Sequence, residues 1–205
     1  MPTHQLIVFV KAPRPGFVKT RLAQGLGLDA ACQGYRQMVE AVLRRMAQLS
    51  DVELRFTPDE AEPEIRPWLR PGWTARPQGE GDLGQRMQAA FAEAFADGAD
   101  RVTLIGSDCP EITSGDIRQA WRELATHDLV LGSALDGGYW LIALKASQPV
   151  LFEDIAWGSE TVLAETLQRA KAAQLGVQLL RILTDIDTQS QWRQWQAGAN
   201  GKPGA

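Results

Sequence analysis

The sequence predicts a three-layer α/β fold with a mainly parallel sheet between helices. Three observations carry the prediction. Apolar runs alternate with amphipathic helical segments along almost the whole chain, the connections are short, and the first run, Gln5-Leu6-Ile7-Val8-Phe9-Val10, is continuous enough to be buried on both faces. Sheets of this kind bind ligands beyond the carboxyl ends of their strands, so the residues that decide function are expected just after strands.

The elements follow in order. After the first strand, Lys11-Ala12-Pro13-Arg14-Pro15-Gly16 carries two prolines that exclude helix. A long helix is predicted from Asp29, as its N-cap, to Leu49, because Tyr35, Met38, Val39, Val42, Met46 and Leu49 form one stripe at three- and four-residue spacing. Val52–Phe56 alternates as a second strand, Glu60–Leu69 reads as a short proline-interrupted helix and Trp73–Gln78 as a weak third strand. Asp82–Ala96 is amphipathic and closed by Gly98, and Val102–Ile105 is a fourth strand. A helix from Ser114 to Ala125 precedes two strands, Leu129–Leu131 and Tyr139–Leu144, around Asp136-Gly137-Gly138. Then come a helix from Glu160 to Gln174, a strand from Val177 to Leu183 and a short helix with Trp192 and Trp195. Without an internal repeat or linker, one domain over residues 1–197 is expected, with 198–205 as a flexible tail.

Composition narrows the chemistry. With 205 residues, 44% hydrophobic, the chain can fold around an ordinary core. Its 21 Lys+Arg against 25 Asp+Glu give a net charge of -4, so no whole-protein basic field invites nucleic acid, and an anion site must be local. No apolar run approaches the roughly 20 residues of a membrane span, and Lys11 comes too early for a signal peptide; a cytoplasmic protein is expected. Two cysteines and two histidines, without ligand spacing, argue against structural zinc, zincins and a Ser-His-Asp triad. Carboxylates, glycines and clustered cations remain, the groups that hold phosphates directly or through a hard metal ion.

Five segments could carry that chemistry. Lys11, Arg14, Lys19 and Arg21 place four cations within eleven residues on a loop after the first strand, a cradle for a diphosphate or an ordinary basic loop. Gly79-Glu80-Gly81-Asp82-Leu83-Gly84 matches the dinucleotide fingerprint, yet the strand before it is polar and contains Pro77, which suits a nicotinamide or flavin fold poorly. Asp108, in Gly106-Ser107-Asp108-Cys109-Pro110, follows an apolar strand where a carboxylate can hold Mg2+ or Mn2+ against phosphate, or can simply serve a turn. Asp136-Gly137-Gly138 is a good hairpin turn, with Tyr139 and Trp140 behind it as an aromatic wall. Asp185 and Asp187 again follow a strand, where alternation points both the same way; either could join Asp108, or Asp187 or Thr188 could cap the last helix.

Taken together these motifs resemble a family of glycosyltransferase-A-type proteins. The matching residues are Lys11-Ala-Pro with Gly16-x-Val18-Lys19-Thr20-Arg21-Leu22, then Gln78-Gly-x-Gly-Asp82-Leu83-Gly84-x-Arg86-Met87, Gly106-Ser-Asp108-Cys-Pro110, Asp136-Gly-Gly-Tyr139, Trp157-Gly-Ser and Asp185-Ile-Asp187-Thr, in the same order over nearly the whole chain. The family is described as glycosyltransferases, the radical-SAM/selenodomain-associated transferase group. Its fold is shared with nucleotidyltransferases such as the guanylyltransferases of molybdenum cofactor and phospholactate.

The resemblance implies a nucleotide-diphospho-sugar transferase fold and a metal-dependent transferase. Lys11, Arg14, Lys19 and Arg21 would hold nucleotide phosphates, and Gly79, Gly81, Asp82 and Gly84 would run beside the nucleotide. Asp108 would ligate Mg2+ or Mn2+, with Asp187 as second acid and Asp185 as a further candidate. Beside what the resemblance implies, Asp136 is read as an acceptor-side base, with Gly137, Gly138, Tyr139 and Trp157 on the small-molecule acceptor's side. One departure is visible: Ser107-Asp108-Cys109 carries a single carboxylate where glycosyltransferases of this fold commonly use Asp-x-Asp. The leading expectation is transfer from a nucleotide-sugar donor. The alternatives are nucleotidyl transfer with release of pyrophosphate, and a non-catalytic nucleotide-binding domain.

Overall fold

The first strand, β1 (His4–Lys11), lies in the interior of the sheet: Leu6 through Val10 are buried and both of its edges are paired. In the computed structural model, which describes residues 3–200, it is followed by β2 (Val52–Thr57), β3 (Thr74–Pro77), β4 (Arg101–Ile105), β5 (Leu129–Ala134), β6 (Tyr139–Leu144) and β7 (Val177–Leu183). All seven belong to one sheet in the order β3-β2-β1-β4-β6-β5-β7. Val8 stands level with Leu54 on one side and Ile105 on the other, both in parallel pairing. Only β6 runs against its neighbours, pairing antiparallel with β4 and β5.

The helices are α1 (Thr20–Leu26), α2 (Leu28–Arg45), α3 (Glu62–Ile65), α4 (Leu83–Ala96), α5 (Ser114–Glu123), α6 (Val162–Ala172) and α7 (Gln189–Asn200). Alternation along β1 sends side chains to two faces. Leu6, Val8 and Val10 join Tyr35, Val39 and Val42 of α2, Met46 just after it, and Ile117 and Ala120 of α5. Ile7 and Phe9 join Met87, Ala90, Phe91 and Ala94 of α4 and Ala170 of α6. This is the expected three-layer α/β/α arrangement. A smaller cluster of Leu22, Ala31, Met38, Ile186 and Trp192 ties α1, α2 and α7 to the segment after β7. No helix among the described residues is long and apolar enough to cross a membrane.

The departures from expectation are local. α1 was not expected, because Lys19, Thr20 and Arg21 look like loop; it is held by burial of Leu22. Asp29 is not the cap of α2 but lies in its first turn, with Gly27, at φ 84, in the capping position. The expected helix over Glu60–Leu69 is broken into α3 flanked by two 3-10 turns, with prolines at positions 63 and 67. α7 continues through Gly198 to Asn200, so 198–200 is helix where a tail was expected, and residues 201–205 of that expected tail lie outside the described ones. β2's charged residues are buried rather than solvated: Glu53 pairs with Arg55 and with Arg76 of β3 (3.2 Å), and Arg55 with Glu93 of α4 (2.7 Å).

Candidate functional site

A cleft of about 660 Å³ opens at the carboxyl ends of β1, β4 and β7, beside the β5–β6 turn. The sheet order explains its position: from β1 the chain goes to β2 and β3 on one side and then returns to β4 on the other, so the loops after β1 and β4 diverge. Lys11, Lys19, Arg21, Asp108, Asp136, Gly138, Tyr139, Trp157, Asp185 and Asp187 all line it. The fold thus collects residues from five separate segments of the sequence.

Its centre is Lys19. The ammonium lies 2.7 Å from Asp108 Oδ1 and 2.8 Å from Asp187 Oδ1, and the side chain is 4% exposed while its partners are 47% and 38% exposed. Burial alone would lower the Lys19 pKa; the two carboxylates outweigh it and raise the value above its ordinary level. Lys19 also has left-handed backbone, φ 48 and ψ 47, where it precedes α1. Such a conformation in a lysine persists only where surrounding contacts hold it. Arg21, mostly exposed, reaches Asp187 Oδ2 at 3.9 Å.

Two links set the frame around this ion pair. The Tyr35 hydroxyl, fully buried under the cleft, accepts from the backbone N–H of Lys11 at 2.7 Å and lies 3.1 Å from Ser107 Oγ. The Ile186 N–H donates to the Asp108 carbonyl at 3.0 Å. Asp185, between the two carboxylates of the pair in sequence, is pushed up to about 7 by burial and then by the charges of Asp108 and Asp136. β7 ends at Leu183, so Asp185 and Asp187 lie beyond the strand; both line the cleft, and Asp187 takes Lys19. Among the described residues no group of three or more His, Cys, Asp or Glu side chains is arranged to hold an ion. Capping of α7 falls to Thr188, whose Oγ accepts from the Gln191 N–H at 3.3 Å.

The glycine segments pack against one another. Gly137, at φ +88, lies under Glu160, whose backbone a Cβ there would strike, and its carbonyl accepts from the Leu163 N–H at 2.9 Å. Gly84 lies directly under the Trp157 indole and the Phe152 carbonyl, leaving no room for a side chain. Asp82 caps α4 by accepting from the Gln85 N–H at 2.9 Å. Gly79, Gly81, Asp82, Gly84 and Gly137 therefore build the rim without lining the cleft. Because Gly79–Gly84 follows the edge strand β3, the fingerprint is not in the position of a dinucleotide-binding turn, which follows the central strand at the switch point.

Arg14 is turned away, donating to Glu64 (2.6 Å) and Glu60 (2.9 Å). Tyr139 and Trp140 both line the cleft, Tyr139 with its hydroxyl buried and Trp140 largely buried, with its indole donating to the Arg181 carbonyl at 3.2 Å. Sequence reasoning missed Tyr35 as a site residue, since it sits in the apolar stripe of α2, and Arg86, one turn into α4, which lines the cleft while donating to the Gly81 carbonyl at 2.9 Å. Phe17 and Leu83 line it as well, each with a large exposed apolar side chain. Position alone could have suggested Arg86, four residues after a helix cap that opens on a strand end.

This sheet, with its single reversed strand, is the fold of nucleotide-diphospho-sugar transferases. The chain belongs to the DUF2064 family, described as an uncharacterized protein conserved in bacteria, which matches residues 40–159. It is 36% identical to a crystal structure from Desulfovibrio desulfuricans G20 provisionally described as a nucleotide-diphospho-sugar transferase, over 92% of this chain and 84% of that one, with a TM-score of 0.84. At the level of fold alone it resembles a cytidylyltransferase from Leptospira borgpetersenii serovar Hardjo-bovis (12% identity, 100% and 89% covered, TM-score 0.62). It likewise resembles Rv0371C of Mycobacterium tuberculosis H37Rv in complex with manganese (16%, 94% and 97%, TM-score 0.54). No curated protein matches its sequence. Its structural neighbours thus include proteins described as nucleotide-diphospho-sugar transferases and as nucleotidyltransferases.

Proposed function

We propose that this protein is a metal-dependent transferase that binds a nucleotide-sugar donor in the cleft and passes the sugar to a small acceptor. The observation that carries the reading is the Lys19 ammonium held between Asp108 and Asp187 at the carboxyl ends of two strands, with Lys11, Arg21 and Arg86 around it. Two convergent carboxylates fit Mg2+ or Mn2+, which keep waters and bind through one or two carboxylates plus substrate phosphates rather than in an all-protein cage. Asp108 and Asp187 would hold such an ion. Its chemistry there would be to offset charge on the leaving diphosphate.

The chain's own residues supply the rest. Lys19, Lys11, Arg21 and Arg86 bind the phosphates and stabilise the charge that builds on them as the bond to the sugar breaks. Asp136 sits in the cleft with one oxygen accepting from the Gly138 N–H at 3.0 Å, which fixes the carboxylate. It takes the proton of the acceptor hydroxyl as that oxygen bonds to the sugar. Nucleoside diphosphate leaves. Trp157 and the Tyr139 ring wall the acceptor side.

The lone carboxylate of Ser107-Asp108-Cys109 favours a second reading, nucleotidyl transfer, in which an acceptor phosphate attacks the α-phosphate of a nucleoside triphosphate. Incubation with panels of nucleotide sugars and nucleoside triphosphates, with and without Mn2+, separates the two. Free nucleoside diphosphate made from a nucleotide sugar, and lost in Asp108→Asn, is the expected result. Pyrophosphate from a triphosphate would replace it with the second reading, and consumption of neither would leave a binding domain.

A further inference from the structure

Lys19 stands where a cation between Asp108 and Asp187 would stand. Both its ion pairs are short, at 2.7 and 2.8 Å, its side chain is almost wholly buried, and its backbone is held in the left-handed region. A free divalent cation bridging these carboxylates where the ammonium now bridges their Oδ1 atoms has to displace it from both. The displaced group would then be a buried charge without partners, next to a second positive charge, which is among the costliest arrangements a protein interior can hold. A phosphate arriving with the metal removes that cost, since its oxygens accept from the lysine and ligate the ion at once.

We infer that Lys19 makes the cleft select the metal–phosphate complex over the free metal, so that the divalent ion enters only in company with a phosphate-bearing ligand. The inference rests on the proposed metal-assisted phosphate site. It concerns order and selectivity: Lys19 is at once the rival of the lone cation and the partner of the ligand that accompanies it. Replacing it should therefore move two affinities in opposite directions, whereas a purely structural lysine would weaken both or neither.

The test uses the full chain with Mn2+ alone, followed calorimetrically, and with Mn2+ plus inorganic pyrophosphate, followed by thermal shift. Wild type should bind free Mn2+ poorly and be stabilised by Mn2+ with pyrophosphate. Lys19→Gln, which removes the charge, should bind free Mn2+ at least about tenfold more tightly than wild type and lose most of the pyrophosphate-dependent shift. Lys19→Arg, which retains a cation, should stay poor for free Mn2+. Wild type itself offers a measurement independent of variants: the Lys19 ammonium resonance should stay in place with Mg2+ alone and move with Mg2+ plus pyrophosphate. Equal or weaker Mn2+ binding in Lys19→Gln, or an ammonium resonance that moves with Mg2+ alone, overturns the inference while leaving the site's function standing. No response of wild type to Mn2+ with pyrophosphate overturns both.

Discussion

The backbone N–H of Ile186 donates to the carbonyl oxygen of Asp108 over 3.0 Å, joining the segments that follow β7 and β4. Through this bond the Asp108 and Asp187 carboxylates are brought to one ammonium, although the two strands are separated in the sheet by β6 and β5.

Because that link is backbone, Asp108→Asn should leave it intact and alter only the charge at Lys19. We expect a folded protein destabilised by about 1–3 kcal/mol, since the buried ammonium keeps Asp187 but loses a charge-assisted bond. Metal-dependent stabilisation by nucleotide should disappear. Urea unfolding, repeated with nucleotide and Mn2+, checks both; an unchanged metal response would remove Asp108 from the site.

Tyr35→Phe keeps the buried ring and deletes the hydroxyl that accepts from Lys11 and meets Ser107. The expected loss is about 1–2 kcal/mol, because the Lys11 amide is left without its acceptor. Faster amide exchange at Lys11, with little change at the far ends of β1 and β4, is the accompanying signature.

Gly137→Ala sets a Cβ against the Glu160 backbone at a residue whose φ is +88. Neither partner is a flexible side chain that can swing away, so a loss of about 2–4 kcal/mol is expected. Thermal unfolding measures it, and reduced exchange protection of the Leu163 amide would locate the damage at the hairpin tip.

Asp116 makes two bonds with Arg181, at 2.7 and 2.8 Å, and accepts from the Thr113 N–H at 2.8 Å. Burial would raise its pKa, but these bonds outweigh burial and hold it below the ordinary carboxylate value. A carboxyl depressed in the folded state adds stability that is present above its unfolded pKa of 3.8 and is lost as pH falls through the folded value. Asp116→Asn should therefore be less stable than wild type at neutral pH and should converge with it as pH falls from 3.8 through the lower folded value. Parallel curves down to pH about 2 would show that the pair contributes nothing through charge.

The sequence itself carried a good part of this. Leu6–Val10 announced a strand buried on both faces because a run of large apolar side chains has no other stable place, and the amphipathic stripes of α2 and α4 follow from 3.6-residue spacing. That Lys19, Asp108 and Asp187 come to one cleft at the carboxyl ends of the strands accords with their places after apolar runs. Arg14 was indistinguishable from its neighbours in the loop, since nothing in that loop says that Glu60 and Glu64, beyond β2, will bind it. Tyr35 was legible as core and illegible as a linker of loops, because its apolar ring and its hydroxyl answer to different neighbours.

What the chain determined alone was therefore local: strand and helix periods, the glycine turns, and a stock of carboxylates and cations. Only the tertiary structure decided which charges meet. Lys19 and Asp187 are 168 residues apart, and their pairing depends on the order β3-β2-β1-β4-β6-β5-β7 and on one backbone bond between Ile186 and Asp108. Periodicity is set by each residue's own backbone and nearest turns, whereas an ion pair needs two side chains at one point in space, and that point exists only once the sheet has assembled.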